Sequence, residues 1–143
     1  MDTVHVRWSG GRRFVGCDST GHGVVMDLPV DLGGEGSGTR PIELVLYALG
    51  GCTGIDVVSI LEKQRQRVTG FDVVVTGVQR AEPPRMYVEM TVEYVVTGYD
   101  VNSNSLERAI KLSEDKYCSV KAMLGPEVSV NTSYRIIEAE PPC

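Results

Sequence analysis

"PIELVLYALGGCTGIDVVSIL", residues 41–61, has helical apolar spacing and yet carries Gly50, Gly51 and Gly54 around a single cysteine, Cys52. A glycine inside a helix costs roughly 1 kcal/mol relative to alanine. Three of them imply a compensating gain nearby. Either the helix backbone comes close to another element, or the missing side chains keep a path open to the Cys52 sulfur. Thr39 and Pro41 form a plausible helix start, and the basic run "EKQRQR" (62–67) suits a helix end, where cations complement the dipole. Apolar residues lie on nearly every side of this segment, which predicts a long buried central helix rather than a surface one.

Upstream, "TVHVRWS" (3–9) and "RRFVGCDS" (12–19) read as a hairpin about the turn "GG" (10–11), and "VVMDLP" (24–29) as a third short strand. The glycine-rich "VDLGGEGSGT" (30–39) reads as a loop that is flexible or approaches a ligand. Downstream, "GFDVVVTGVQRAE" (70–82) and "RMYVEMTVEYVVTG" (85–98) alternate as two long antiparallel strands about "PP" (83–84). A helix is expected over 104–115, with Asn104 and Glu107 as a capping box and Leu106, Ala109, Ile110 and Ser113 on one face. The apolar phase changes at "KYCSV" (116–120), where a second short helix is expected, and "EVSVNTSYRIIEA" (127–139) reads as the last strand. Strands in blocks, interrupted by helices, predict an α+β fold built on an antiparallel sheet, in a single domain spanning 1–143.

A net charge of −5 argues against nucleic acid, whose usual footprint is a basic face. The N-terminus "MDTVHVRWSGG" lacks the basic and apolar regions of a signal peptide. Glu43, Asp56 and three glycines make residues 42–61 a poor membrane span, so a soluble cytoplasmic protein without a membrane partner is expected. The four cysteines, Cys17, Cys52, Cys118 and Cys143, show no CxxC and no histidine-rich spacing, so no metal is expected. Cys17 and Cys143 read as unremarkable thiols. Cys52 lies mid-helix and Cys118 near the start of a short helix, where the dipole, with Lys116 and Lys121, would lower a thiol's pKa. On these grounds alone the two are either a redox pair or two separate core thiols.

The segments "GGEGSGTRPIELVLYALGGCTGIDV" and "KLSEDKYCSVKAML", with the order of elements over most of the chain, resemble the osmotically inducible protein C and organic hydroperoxide resistance (OsmC/Ohr) superfamily, in a divergent OsmC-like branch. The resemblance implies a cysteine-based peroxidase that uses no cofactor. Cys52 would attack an organic hydroperoxide, or hydrogen peroxide, and become a sulfenic acid. Cys118 would resolve it to a disulfide, and an external dithiol, such as a lipoylated protein, would restore both thiols. These steps agree with general sulfur chemistry. The resemblance also implies an intertwined homodimer in which the central helices pack together, with the glycines allowing close approach and peroxide access.

Members of the superfamily activate the first cysteine with an arginine, and Arg12 in "SGGRRF" matches that position. Arg13 is a rival, since a one-residue slip in a strand reverses the face of a side chain. The carboxylate that holds this arginine falls on Ile42 here, and Glu43 stands one position, about 100°, further round the helix. That departure leaves a second reading open, a binding protein for an apolar small ligand that keeps the fold without turnover. Glu43 then reads as a first-turn acid, solvated or arginine-paired. Tyr47 would line an apolar pocket or pack in the core, and Tyr117 is expected to pack. Asp56 either pairs with Arg40, Lys116 or Lys121, or faces Cys52 and opposes its ionisation. His5 and His22 are assigned no role.

Overall fold

The structure is a computed structural model and describes residues 1–142. Cys143 lies outside the described residues. The chain forms two compact units, Met1–Val45 and Leu46 onward.

In the first unit, β1 (Val4–Trp8), β2 (Phe14–Asp18) and β3 (Gly23–Met26) form an antiparallel meander in the order β1-β2-β3, with Trp8 opposite Phe14 and Phe14 opposite Met26. Gly10 and Gly11 turn the chain at φ +102° and +55°, a region open to glycine at no steric cost. Arg12 and Arg13 fall before β2, in this turn, rather than inside the strand. The glycine-rich segment is ordered by one carboxylate. Asp27 is buried and accepts hydrogen bonds from the backbone N–H groups of Leu28, Glu35 and Ser37 and from the Ser37 hydroxyl. A 3₁₀ turn spans Val30–Leu32, and Thr39 returns to β3 beside Met26.

The helix start follows directly. The Glu43 carboxylate accepts from the Thr39 hydroxyl and the Arg40 backbone N–H, each at 3.1 Å, which satisfies a donor that the first helical turn leaves open. It also pairs with the Arg40 guanidinium at 3.0 Å, and that contact is the main cause holding its pKa below the ordinary carboxylate value. The arginine-paired reading of Glu43 therefore holds.

Helix α1 runs Glu43–Lys63. In the second unit, β4 (Arg67–Gln79), β5 (Tyr87–Tyr99) and β6 (Ser129–Glu138) form a sheet with β5 central. β4 and β5 pair antiparallel as expected, whereas β6 joins β5 in parallel, Tyr94 opposite Tyr134. The intervening α2 (Ser103–Leu112), a π-helical turn (Ser113–Tyr117) and α3 (Ser119–Met123) form the crossover that a parallel pair requires. α2 begins earlier than expected. Asn102, not Asn104, caps it by accepting from the Ser105 N–H, and Glu107 accepts from the Tyr134 hydroxyl on β6 instead of closing a capping box. The expected face of α2 is correct, with Leu106, Ala109, Ile110 and Ser113 all buried.

The core of this unit gathers Tyr87, Met90, Val92, Tyr94 and Val96 of β5 with Leu49, Val57 and Leu61 of α1. α1 is buried along one stripe, Leu49, Thr53, Val57 and Leu61, at four-residue spacing. By length and composition it is also apolar enough to cross a membrane; here that stripe is packed into the protein core. The expectation of burial on all sides fails for this protomer, since Tyr47 is 66% and Ile55 68% exposed. Tyr47 is therefore not a core residue, and Tyr117 is likewise exposed, beneath the Lys116 ammonium at 5.4 Å.

The glycines resolve into two groups. A Cβ on Gly50 would lie 3.0 Å from Val75 and one on Gly54 3.3 Å from Val73, so these two bring α1 onto β4. A Cβ on Gly51 would meet nothing within 4 Å, so the residue before Cys52 borders open space.

Candidate active site

Cys52 is carried mid-way along α1, half-buried, and Cys118 caps the N-terminus of α3, buried. The π-helical turn positions Cys118. Its extra residue lets the Cys118 N–H reach the Ser113 carbonyl, five residues back, at 2.8 Å. The two sulfurs and a carboxylate oxygen of Asp56 all lie within 4.8 Å of one another. Fold and helix phase together thus bring two thiols far apart in sequence to a separation from which a short movement forms a bond.

The Cys118 thiol is pushed above its ordinary pKa, first by burial and then by the neighbouring Cys52 thiol. The Lys121 N–H, 3.4 Å from the sulfur, acts in the opposite sense and is outweighed. The lowering expected at a helix start is therefore overturned by desolvation, which disfavours a charged thiolate. Nor do the nearby lysines serve the sulfur. Lys121 pairs with Glu114 at 3.5 Å, and Lys116 lies over Tyr117. The cavity beside Cys118, lined by Leu49, Thr53, Tyr94 and Glu114 among others, holds about 10 Å³, room for one water at most. Next to Cys52 in the chain, by contrast, a Cβ on Gly51 would meet nothing within 4 Å.

Asp56 follows Cys52 by one helical turn, and its carboxylate accepts from the Ser113 hydroxyl at 2.9 Å. None of Arg40, Lys116 and Lys121 is its partner among the described residues, so the expected ion pair is replaced by this hydroxyl contact. Ser113 in turn meets the Thr53 hydroxyl at 3.0 Å, and Thr53 meets the Tyr94 hydroxyl. Each hydroxyl has one proton. With Ser113 donating to Asp56, Thr53 must donate to Ser113 and Tyr94 to Thr53, so three donors run in one direction to the carboxylate. Burial, above all, raises the Tyr94 phenol to about 12, which keeps it a donor. Sequence reasoning gives Thr53 and Tyr94 no part and reads Ser113 only as a member of the apolar face of the 104–115 helix, although a serine there signals a buried hydroxyl in need of a partner.

Two soft sulfurs and one hard oxygen are also a donor set that could share a cation, and among the described residues Cys52, Asp56 and Cys118 are the group close enough to do so.

In the first unit, Arg13 pairs with Glu35 at 3.1 Å and also reaches Ser37 and Ser9. Arg12 has no ion pair among the described residues and lines an open apolar cleft of about 460 Å³ with Trp8, Gly11, Phe14, Leu28 and Pro41. His22 meets Asp18 at 3.3 Å within its own turn.

Residues 34–133 match the family model described as OsmC-like protein. The chain is 41% identical over 137 residues to Protein YhfA of Escherichia coli K12, covering 95% of this chain and 98% of that protein. A crystal structure of a protein from Aquifex aeolicus VF5 superposes with a TM-score of 0.85 at 34% identity, covering 98% of each chain. A Legionella pneumophila structure described as an organic hydroperoxide resistance protein OsmC superposes at 0.69 with 18% identity, covering 94% of this chain and 96% of that one, a likeness of fold. With two thirds of its length under the family model and a relative this close along nearly all of it, the chain belongs to the OsmC-like family.

Proposed function

We propose that the protein is a thiol-dependent peroxidase that reduces organic hydroperoxides, and hydrogen peroxide, in defence against oxidative stress. The observation that carries this reading is the meeting of the Cys52 and Cys118 sulfurs, within 4.8 Å, on two separate helices. The Cys52 thiolate attacks the outer peroxide oxygen, the O–O bond breaks, and the alkoxide takes a proton to leave as alcohol. The sulfur, oxidised by two electrons, is then a sulfenic acid. Cys118 displaces hydroxide from it, forming the Cys52–Cys118 disulfide and water. An external dithiol, in the manner of a lipoylated protein, reduces the disulfide. Arg12 is assigned as the thiolate-stabilising cation, because Arg13 is already held by Glu35 and Ser37. The working form is a cytoplasmic homodimer.

Under single turnover, cumene hydroperoxide should consume two thiols per chain in the wild type. Cys52→Ser should leave the Cys118 thiol unoxidised, and Cys118→Ser should stop at the sulfenic acid. Arg12→Ala should lower kcat/KM about a hundredfold while Arg13→Ala leaves the thiolate reactivity intact. Full activity of Cys118→Ser would remove the resolving step from the mechanism.

Ile42 in place of the family's carboxylate, with the apolar cleft beside Arg12, favours a second reading, capture of an apolar ligand without turnover. Absence of turnover with a dihydrolipoyl reductant, together with a fatty ligand retained through purification, would decide for it.

A further inference from the structure

We propose that Asp56 is the general base of the resolving step: it takes the proton from Cys118 as that thiol attacks Cys52, and returns it to the departing hydroxide. This inference deepens the peroxidase reading and rests on it for the identity of the oxidant alone.

The geometry carries it. An Asp56 oxygen lies within 4.8 Å of both sulfurs, the reach of one bridging water. Cys118 has burial against its ionisation, and among the described residues no cation pairs with it, Lys121 being committed to Glu114. Its attack therefore needs a base at hand. The three-hydroxyl chain Tyr94, Thr53, Ser113 ends on Asp56, fixing the carboxylate while leaving most of its lone-pair sites for the thiols. The groups around it are Cys52 on its own helix, Ser113 from the π-helical turn, Cys118 from the cap of α3 and Tyr94 from β5, with the Glu114–Lys121 pair beyond.

The step balances. Cys118–SH gives its proton to Asp56, the S–S bond forms as the S–O bond breaks, and hydroxide receives that proton and leaves as water. The Cys52 sulfur is reduced from sulfenic acid to disulfide level as Cys118 is oxidised.

The test uses Asp56→Asn and Asp56→Glu in a Cys17→Ser, Cys143→Ser background, with a chelator present. Asparagine keeps an acceptor for Ser113 and removes the base. After one equivalent of cumene hydroperoxide, Asp56→Asn should accumulate sulfenic acid, trapped by a dimedone probe, with closure to disulfide slowed about a hundredfold. Its closure rate should rise about tenfold per pH unit between roughly pH 6 and 8, where the wild-type rate is nearly flat, and Asp56→Glu should recover part of the loss. A second assay needs no peroxide. Cys52 is loaded as its mixed disulfide with 5-thio-2-nitrobenzoate, and closure by Cys118 releases the coloured thiol. The same slowing is expected there. Failure of the wild type to react with peroxide while closing normally from the mixed disulfide would sink the peroxidase reading and leave Asp56 its role. Wild-type closure rates and pH profile in Asp56→Asn would overturn the assignment.

Discussion

Asp27 is the residue on which the glycine-rich loop depends, and it is a buried carboxylate with four hydrogen-bond donors and, among the described residues, no ion pair. The contacts from Ser37, hydroxyl first and backbone second, lower its pKa to about 2. A depressed folded value stabilises the ionised native form. That contribution is present above the unfolded value, about 3.9, and is lost as pH falls from there toward 2. Asp27→Asn should therefore melt well below the wild type at neutral pH, and the gap between their melting temperatures should close between about pH 4 and pH 2. A gap independent of pH would mean that the loop does not rest on this charge. Nothing in the local pattern singled out Asp27, because its donors come from positions up to ten residues away on a loop that reads as irregular. The thiols were more legible than their environment. Cys52 and Cys118 stand out by residue type and position, but the burial that raises Cys118 depends on packing around it, and so reversed the expectation drawn from its helix start.

At the scale of elements, the two neighbouring glycines in "GGCTG" have opposite surroundings. A side chain at Gly50 would press on Val75 of β4, whereas one at Gly51 meets nothing within 4 Å in the protomer. Gly50→Val should lose about 2 kcal/mol by overpacking, and Gly51→Ala should gain about 1 kcal/mol from helix propensity, both read by denaturant unfolding. Equal effects would mean that the glycines serve no specific approach to the sheet. α1, the β4–β5 pair and the apolar face of α2 are legible because their patterns are local: helical spacing, alternation and an i, i+3, i+4 stripe. The parallel seat of β6 is not, since pairing direction is set by where a crossover delivers the strand. Nor is the chain from Tyr94 to Asp56, whose links join positions 41, 60 and 57 residues apart.

For the whole molecule, the unexplained feature is apolar surface. On α1, Tyr47 and Ile55 are about two-thirds exposed, and in the first unit Val4, Val6 and Trp8 of β1 are each more than half exposed. The proposed homodimer would give the exposed face of α1 a cover, as exposed apolar patches larger than isolated side chains mark interaction surfaces. A second copy is the occupant that the helix composition anticipates, since a helix apolar on every side has only one stripe satisfied within the protomer. Sedimentation equilibrium should therefore give twice the chain mass at micromolar concentration. Ile55→Asp should shift the protein to monomer, because a charge placed in a desolvated seam lacks a partner there, while the circular dichroism of the protomer is retained. Ile55 lies three residues past Cys52, so dimer loss should also expose the open side of the thiol, and Cys52 alkylation should accelerate in the variant by more than Cys17 alkylation does. A wild type that sediments as a monomer at those concentrations would remove the helix face as an interface and leave its apolar side chains to a different partner.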